Sequence, residues 1–332
     1  MKKFYYPQQR QQLGLSLVEL MVAILVGSLL LVGVLQILTN STQSYRIQNA
    51  FMRVQENGQF AMEFITREVR NTDFWGCLAT LDDVDNLLDP AGGGYDPTYN
   101  ACAAGISGTA NEASGGPIEA GTDTITIQAA ANIGSGLPLQ PPYGPLLSSP
   151  ITVGPDTNIV QDDILIVSDC LQGNIFQVTA IDSNGSISHA AGVGSPGNIS
   201  GDLAKIYTGE ATVYRPYTRS FEIRTGTSGL PSLFLVDRNG PQELVEGVEN
   251  MMILFGEDTD GDNTANRYVR ANAVGDMGNV VSVRVSIVVE SIEDNLAPTP
   301  QPYLLNGQVV TPADRRLRRI YNTTITLRNR SD

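Results

Sequence analysis

The first forty residues divide into a basic segment and an apolar one. Lys2, Lys3 and Arg10 are the only charged residues before position 15, and residues 15–38 (LSLVELMVAILVGSLLLVGVLQIL) are apolar almost throughout. About 20 residues of α-helix, at roughly 1.5 Å each, cross the ~30 Å hydrocarbon layer of a membrane. The pattern therefore predicts a transmembrane helix over 15–38. Because positive flanks stay in the cytoplasm, we expect the rest of the chain on the other side.

After Leu38 the sequence becomes polar, but no proline interrupts it before position 90. Apolar or small residues then recur at steps of three and four, as on one face of a helix. They are Ile47, Phe51, Val54, Gly58, Ala61 and Ile65. We predict one helix from about Leu15 to Asn71, whose amphipathic half, 39–72, packs on a globular domain. The alternative is two helices, broken near Thr39–Ser44.

Beyond Phe74 the helical period is lost, and short segments rich in valine, isoleucine and threonine alternate at period two. The candidate strands are Thr122–Gln128, Ile164–Ser168, Ile175–Ile181, Ala204–Tyr214, Phe221–Arg224, Leu233–Asp237, Leu244–Leu254, Val280–Glu290 and Arg319–Leu327. Glycine-, proline- and serine-rich tracts at Ala91–Gly94, Gly134–Pro155 and Asp182–Gly201 are expected to be loops. This order predicts an α+β fold: an antiparallel β-sheet head, 73–332, with long loops, packed on the N-terminal helix.

Composition excludes several kinds of function. The 332 residues carry a formal net charge of −14, which disfavours a basic nucleic-acid-binding surface. A single histidine, His189, and three cysteines leave no material for a His- or Cys-rich metal centre. No catalytic constellation is recognisable either, so we expect a protein that is not an enzyme.

Two residues near the apolar segment are unusual. An ordinary secretory signal has its small-residue cleavage site after the apolar region, whereas Gly14 precedes it. Glu19 lies inside the apolar segment, where a carboxylate costs a few kcal/mol and is a functional candidate. Cleavage after Gly14 would create an α-amine on Leu15, and Glu19 could pair with that amine of a neighbouring subunit. The alternative is an interfacial glutamate that reaches the lipid headgroups.

The segment Gly14-Leu15-Ser16-Leu17-Val18-Glu19-Leu20 resembles the class III signal of type IV pilins and type II secretion pseudopilins. The resemblance implies that 1–14 is a cytoplasmic leader, removed between Gly14 and Leu15 by a prepilin peptidase that also N-methylates Leu15. It implies too that Glu19 docks the subunit into a helical filament. The chain departs from the family in having Leu15 where phenylalanine is more frequent, and in lacking a proline inside the membrane helix.

Blocks in the head resemble the PilW-type minor pilins of type IV pili. They are Phe74–Cys77, Val167–Cys170, Leu244–Glu249, Asp258–Asp262 and Thr323–Asn329. The resemblance implies a minor pilin that primes pilus assembly at or near the tip and supports twitching motility and adhesion. The alternative within the superfamily is a J-type minor pseudopilin of a type II secretion system.

The same resemblance implies location and partners. The protein would be a single-pass inner-membrane protein with its C-terminal head in the periplasm, and would then enter the pilus on the cell surface. Its partners would be the prepilin peptidase, other minor pilins, the major pilin, inner-membrane lipid before assembly and a large tip adhesin.

Cys77, Cys102 and Cys170 would lie in the oxidising periplasm, where a disulfide is permitted. Three cysteines allow three single pairings and leave one residue over. Cys77–Cys102 would close the shorter loop, and Cys77–Cys170 would join two of the blocks that resemble the family. The sequence leaves these alternatives open.

An acidic segment places oxygen ligands at positions one, three, five and nine, as in calcium loops. They belong to Asp258, Asp260, Asp262 and Asn266. Glycine is missing at position six, which is Asn263, and a bidentate carboxylate is missing at position twelve, which is Val269. Weak calcium binding and an Asx-rich surface turn are the two interpretations; no other cofactor is expected.

Six arginines are concentrated near the C-terminus: Arg315, Arg316, Arg318, Arg319, Arg328 and Arg330. We expect them to pair with the acidic head or with a neighbouring subunit. Direct DNA binding is not expected, because the net negative field repels phosphate.

Overall fold

The computed structural model describes residues 16–78, 83–100, 105–155, 157–305 and 307–330. The chain forms two compact units, Met1–Phe51 and Met52–Asp332. Helix α1 runs from Leu17 to Arg70. The prediction of one continuous helix holds over the described residues, and the alternative break at Thr39–Ser44 is not observed, since these residues are helical. Of the predicted first helical residues, Leu15 lies outside the described part of the chain.

In the first unit the described side chains of α1 are largely exposed. The large apolar residues from Leu17 to Leu38 are between 48% and 74% exposed. Phe51, which the pattern assigns to a buried stripe, is 47% exposed, so that assignment is wrong.

In the second unit the helix residues Met52–Arg70 supply a buried stripe. Val54, Ala61, Ile65 and Val69 are all buried and belong to one apolar core. Gly58 lies on the same stripe, where a Cβ would overlap the ring of Tyr321. The helix therefore packs closely against that ring only because residue 58 is glycine.

The rest of the second unit is mostly strands. In chain order they are β1 Val84–Asn86, β2 Ile106–Thr109, β3 Thr124–Pro138, β4 Ile151–Thr152, β5 Ile164–Ser168, β6 Gly173–Gln177, β7 Ala180–Ile181, β8 Ser186–Ser188, β9 Thr212–Thr225, β10 Pro231–Asp237, β11 Gly240–Glu246, β12 Val248–Glu257, β13 Arg267–Val269, β14 Val280–Glu290, β15 Tyr303–Leu305, β16 Gln308–Val310 and β17 Arg318–Thr326. A short helix α2, Pro97–Asn100, and three 3-10 turns, Ala271–Ala273, Met277–Asn279 and Arg328–Arg330, complete the described elements.

Two large sheets organise these strands. An eight-stranded sheet has the order β1-β6-β5-β9-β10-β11, with β3 paired to β9 and β2 paired to β3. A four-stranded antiparallel sheet has the order β13-β12-β14-β17. Two small sheets, β4-β8-β7 and β15-β16, lie apart from them. The α+β prediction is confirmed, with several sheets in the head rather than one.

The apolar residues form separate cores. The first core joins α1 to both large sheets, through residues such as Ile125 of β3, Phe221 of β9 and Val285 of β14. The second core contains Leu165, Phe176, Ile187 and Val213, and its buried members all lie between residues 87 and 213. The two cores share no residue.

Three predicted strands need correction. Leu244–Leu254 is divided into β11 and β12 at Gly247, whose φ of +78° interrupts an extended strand. Ile175–Ile181 is likewise divided into β6 and β7. Most of Ala204–Tyr214 is irregular, and only its last residues belong to β9.

The physical reason at Ala204–Tyr214 is a buried side chain that replaces the strand ladder. Asn174 Oδ1 accepts hydrogen bonds from the Ala204 backbone N–H at 2.9 Å and from the Tyr207 hydroxyl at 2.8 Å. Two predicted loops also contain short strands, since Gly134–Pro155 includes the end of β3 and all of β4, and Asp182–Gly201 includes β8.

Candidate functional site

The start of α1 carries the first predicted site residue. Glu19 lies in the first turn, and its backbone N–H donates to the Ser16 hydroxyl at 3.2 Å. Ser16 therefore caps the helix. The sequence analysis missed this role, although Ser16-Leu-Val-Glu19 has the S-x-x-E spacing of a capping box. Gly14 and Leu15, the predicted processing residues, lie outside the described residues.

The apolar part of α1 is long enough to cross a membrane. It is the one such helix in the part of the chain that the structure describes, and its apolar window is not buried. Ser28 and Thr39 satisfy their hydroxyls by donating to the carbonyls of Leu25 and Leu35 at 2.9 and 2.8 Å. Both hydroxyls can therefore lie in an apolar environment, because each donates its hydrogen bond to a carbonyl of the same helix.

A disulfide closes the segment that follows α1. Cys77 and Cys170 are bonded, with Cα atoms 4.5 Å apart and a sequence separation of 93. Beside Cys77, the buried Trp75 packs with Ile166 of β5 and Ile175 of β6. The structure thus joins the blocks at 74–77 and 167–170, while Cys102 lies outside the described residues.

The acidic loop forms a compact turn between β12 and β13. One carboxylate oxygen from each of Asp258, Asp260 and Asp262 lies within 4.8 Å of the others. Asp258 is 8% exposed, and its oxygens accept N–H bonds from Asp260, Gly261 and Asn263 at 3.1, 2.8 and 2.8 Å. Burial acts to raise the pKa of Asp258, but these donors outweigh it, so the pKa lies below its ordinary value.

The donor set fits a calcium ion only in part. Asn263 takes the left-handed conformation, φ +63°, that glycine supplies at position six of a calcium loop. Asn266, at position nine, already accepts from the Thr259 N–H at 2.6 Å and donates to Asp260 at 3.2 Å. Val269, at position twelve, lies in β13 and brings no carboxylate.

Arg318 lies at the centre of a buried charge cluster, defined by Glu249, Glu290, Asp314, Arg316 and Arg318. Its side chain is only 3% exposed and contacts Glu249, Glu290 and Asp314 at 2.7, 2.8 and 2.6 Å. Arg316 lies 3.9 Å from Glu290.

The cluster has three carboxylates and two guanidinium groups. Burial and the neighbouring charge of Glu249 raise the pKa of Glu290 to about 7. The hydrogen bonds from Arg318 lower the pKa of Asp314 to about 2. Glu290, whose side chain is the most buried of the three carboxylates, therefore holds its proton up to nearly neutral pH.

Three other C-terminal arginines also contact the head. Arg330 pairs with Asp73, directly after α1, and Arg315 donates to Asn295. Arg319 lies over the ring of Tyr321 at 5.3 Å. The expected pairing of this arginine-rich segment with acidic residues of the head is thus observed for Arg316, Arg318 and Arg330.

Comparison with known families gives two matches. Residues 9–35 match the prokaryotic N-terminal methylation motif, and residues 220–329 match the type IV pilus-assembly protein W family. The first includes the expected cleavage position and the start of α1; the second runs from β9 to the last 3-10 turn. No curated protein and no solved structure gives a match. The resemblance to PilW-type minor pilins is therefore confirmed, and the two matches support a type IV pilus-related minor pilin.

Proposed function

We propose that this protein is a minor pilin that primes type IV pilus assembly at or near the pilus tip, and so supports twitching motility and adhesion. The observation that carries the proposal is the exposed apolar surface of α1, with Glu19 in its first turn. The matches to the N-terminal methylation motif and to the type IV pilus-assembly protein W family support it. Single-pass anchoring in the inner membrane fits the same helix.

The mechanism is association rather than catalysis. A prepilin peptidase cleaves between Gly14 and Leu15 and methylates Leu15, which leaves the apolar helix attached to the head. The amine of Leu15 and the carboxylate of Glu19 on a neighbouring subunit then neutralise each other, because an unpaired charge in an apolar bundle is costly. The basic leader residues keep the N-terminus in the cytoplasm and direct the head to the periplasm.

The proposed partners are the other minor pilins and the major pilin, which contact the apolar helix, and a large adhesin at the tip. Intact-mass analysis of the protein from membranes tests the first step. The expected mass corresponds to a chain that begins at methylated Leu15. A chain that begins at Met1 contradicts the proposal.

Glu19→Gln is expected to leave membrane insertion intact and to reduce incorporation into pili by at least about tenfold, since loss of a charge pair in an apolar bundle costs more than the ~1.4 kcal/mol that tenfold represents. The measurement is the ratio of the protein in sheared pili to that in membranes. Ser16→Ala is the matched control, because it removes the helix cap and keeps the carboxylate. Equal incorporation of Glu19→Gln and the unchanged protein contradicts the assigned role.

Loss of surface pili on deletion distinguishes this function from that of a J-type minor pseudopilin. If the protein were a J-type minor pseudopilin, its deletion would abolish exoprotein secretion and leave surface pili. The match to the type IV pilus-assembly protein W family over residues 220–329 favours the pilus.

We also propose weak calcium binding by Asp258, Asp260 and Asp262, supported by their three close carboxylate oxygens. Calcium should raise the melting temperature of the protein, and Asp260→Ala should abolish that rise. Asp276→Ala is the control, since Asp276 instead caps a 3-10 turn outside the loop. No calcium effect on the unchanged protein ends this proposal.

A further inference from the structure

The outer edge of β17 has main-chain groups that no strand covers. β17 is the last strand of the four-stranded sheet, and within the described residues it pairs only with β14. The register between them is continuous from Glu290↔Arg318 to Ser282↔Thr326. The Leu327 N–H continues the ladder by donating to the Val281 carbonyl at 2.9 Å.

The hydrogen bond from Leu327 to Val281 shows which main-chain groups of β17 point away from β14. In an antiparallel pair, alternate residues exchange both hydrogen bonds with the partner strand. Since Leu327 bonds towards β14, the odd-numbered residues of β17 do so as well. The main-chain N–H and C=O groups of Ile320, Asn322, Thr324 and Thr326 therefore point away from the sheet.

Apart from Arg318 and Arg319 at its start, β17 lacks the features that usually protect an edge strand. It has nine residues, no proline, no lysine and no register shift, and it is rich in threonine and isoleucine. The other outermost strands of the two large sheets differ: β1 and β13 have three residues each, and β2, which pairs only with β3, has four. β11 contains Pro241, and its pairing with β10 has a register shift. β17 is thus the regular edge most open to strand addition.

A groove beside this edge has room for a further strand. It has a volume of about 590 Å³ and lies between α1 and β17, with Met62, Thr66 and Arg70 on one side and Tyr321, Asn322 and Thr323 on the other. The helix wall from Gln59 to Arg70 is about 16 Å long, the length of about five extended residues. An added strand would therefore lie next to β17 and cover the half-buried Met62.

The groove is basic although the protein is acidic. Its charged lining residues are Glu63, Arg67 and Arg70, against a net charge of −14 for the chain. Both arginines lie towards the end of α1, which the contact between Thr72 and Asn329 places beside the end of β17. A carboxylate on the added segment would be favoured at that end.

We propose that β17 and this groove bind an extended, carboxylate-bearing segment of a neighbouring pilus subunit by β-strand addition. That the segment belongs to a pilus subunit rests on the proposed function above; the strand-binding capacity of the groove does not.

The test titrates the full-length protein, in detergent micelles, with a labelled short peptide of alternating threonine and valine that has glutamate at both ends. Fluorescence anisotropy should show binding. Asn322→Pro should weaken it roughly tenfold or more, because proline removes an outward N–H and no ladder bond to β14. Asn322→Ser is the matched control and should bind as the unchanged protein does.

Two comparisons make the result specific. A peptide N-methylated on one edge should not bind, and a lysine-ended peptide should bind more weakly than the glutamate-ended one. Amide exchange at Ile320, Asn322 and Thr324 in the unchanged protein should slow on peptide addition, which tests the site even if Asn322→Pro misfolds. Absence of binding, or unchanged exchange at these amides, overturns the proposal.

In cells, Asn322→Pro should lower piliation relative to Asn322→Ser. If the unchanged protein binds the peptide but cells with Asn322→Pro are normally piliated, the segment does not belong to a pilus subunit. Normal piliation of Glu19→Gln would instead contradict the proposed function and leave the peptide result standing.

Discussion

Replacing Cys77 and Cys170 together by serine is expected to lower the free energy of unfolding by about 3–5 kcal/mol. The disulfide closes a loop with a sequence separation of 93 residues. Opening so long a loop returns much conformational entropy to the unfolded chain. The bond also connects the segment after α1, which contains the buried Trp75, to the turn between β5 and β6.

The measurement is denaturant unfolding of the purified protein, with and without a reducing agent. The double serine variant should unfold at lower denaturant concentration, and reduction should shift the unfolding of the unchanged protein but not that of the double variant. Cys102→Ser is the control and should keep both the stability and its sensitivity to reduction. Equal stability of the double variant and the unchanged protein would show that the disulfide is not structural.

Arg318→Met is expected to destabilise the protein by about 3–5 kcal/mol at neutral pH, because it leaves buried carboxylates without their cation. The side chains of Arg318 and Glu290 are 3% and 5% exposed, so water does not replace the lost guanidinium. Arg315→Ala is the matched control. Arg315 is exposed and donates to Asn295, so its loss should cost less than about 0.5 kcal/mol.

The pH dependence of this cost identifies its origin. The folded-state pKa of Glu290 is raised to about 7, above its ordinary value of 4.5, so the folded state takes up a proton between these values. The stability that this uptake contributes is present below about pH 4.5 and is lost as pH rises through about 7. At about pH 5 Glu290 is protonated, and Arg318→Met should therefore cost less than at neutral pH. A cost that does not change with pH would indicate lost packing instead of an unpaired charge.

Regular periodicity made part of this fold predictable. The three- and four-residue steps from Val54 to Ile65 locate the buried stripe of α1, because a helix must turn one face to the core. The alternation of Val280–Glu290 predicts β14 with the bounds that the structure gives. Each of these patterns lies within a single element, where the spacing of apolar residues along the chain predicts which side chains are buried.

Contacts between distant segments were not predictable in the same way. No local pattern selects Cys170 over Cys102 as the partner of Cys77. The sequence shows a run of arginines but does not distinguish the buried Arg318 from the exposed Arg315. That difference depends on the pairing of β17 with β14, which places Arg318 opposite Glu290. The irregular segment from 204 to 211 was mistaken for a strand because its conformation depends on hydrogen bonds from Ala204 and Tyr207 to Asn174, about thirty residues earlier.

The separation of the two apolar cores has a consequence for how such a protein can diversify. The buried members of the second core lie between residues 87 and 213, outside both family matches. The helix packs on the first core, whose members in β10–β17 lie within the longer match. Mutations in the second core can therefore change that core and the surface around it, while the first core, on which the helix packs, stays intact.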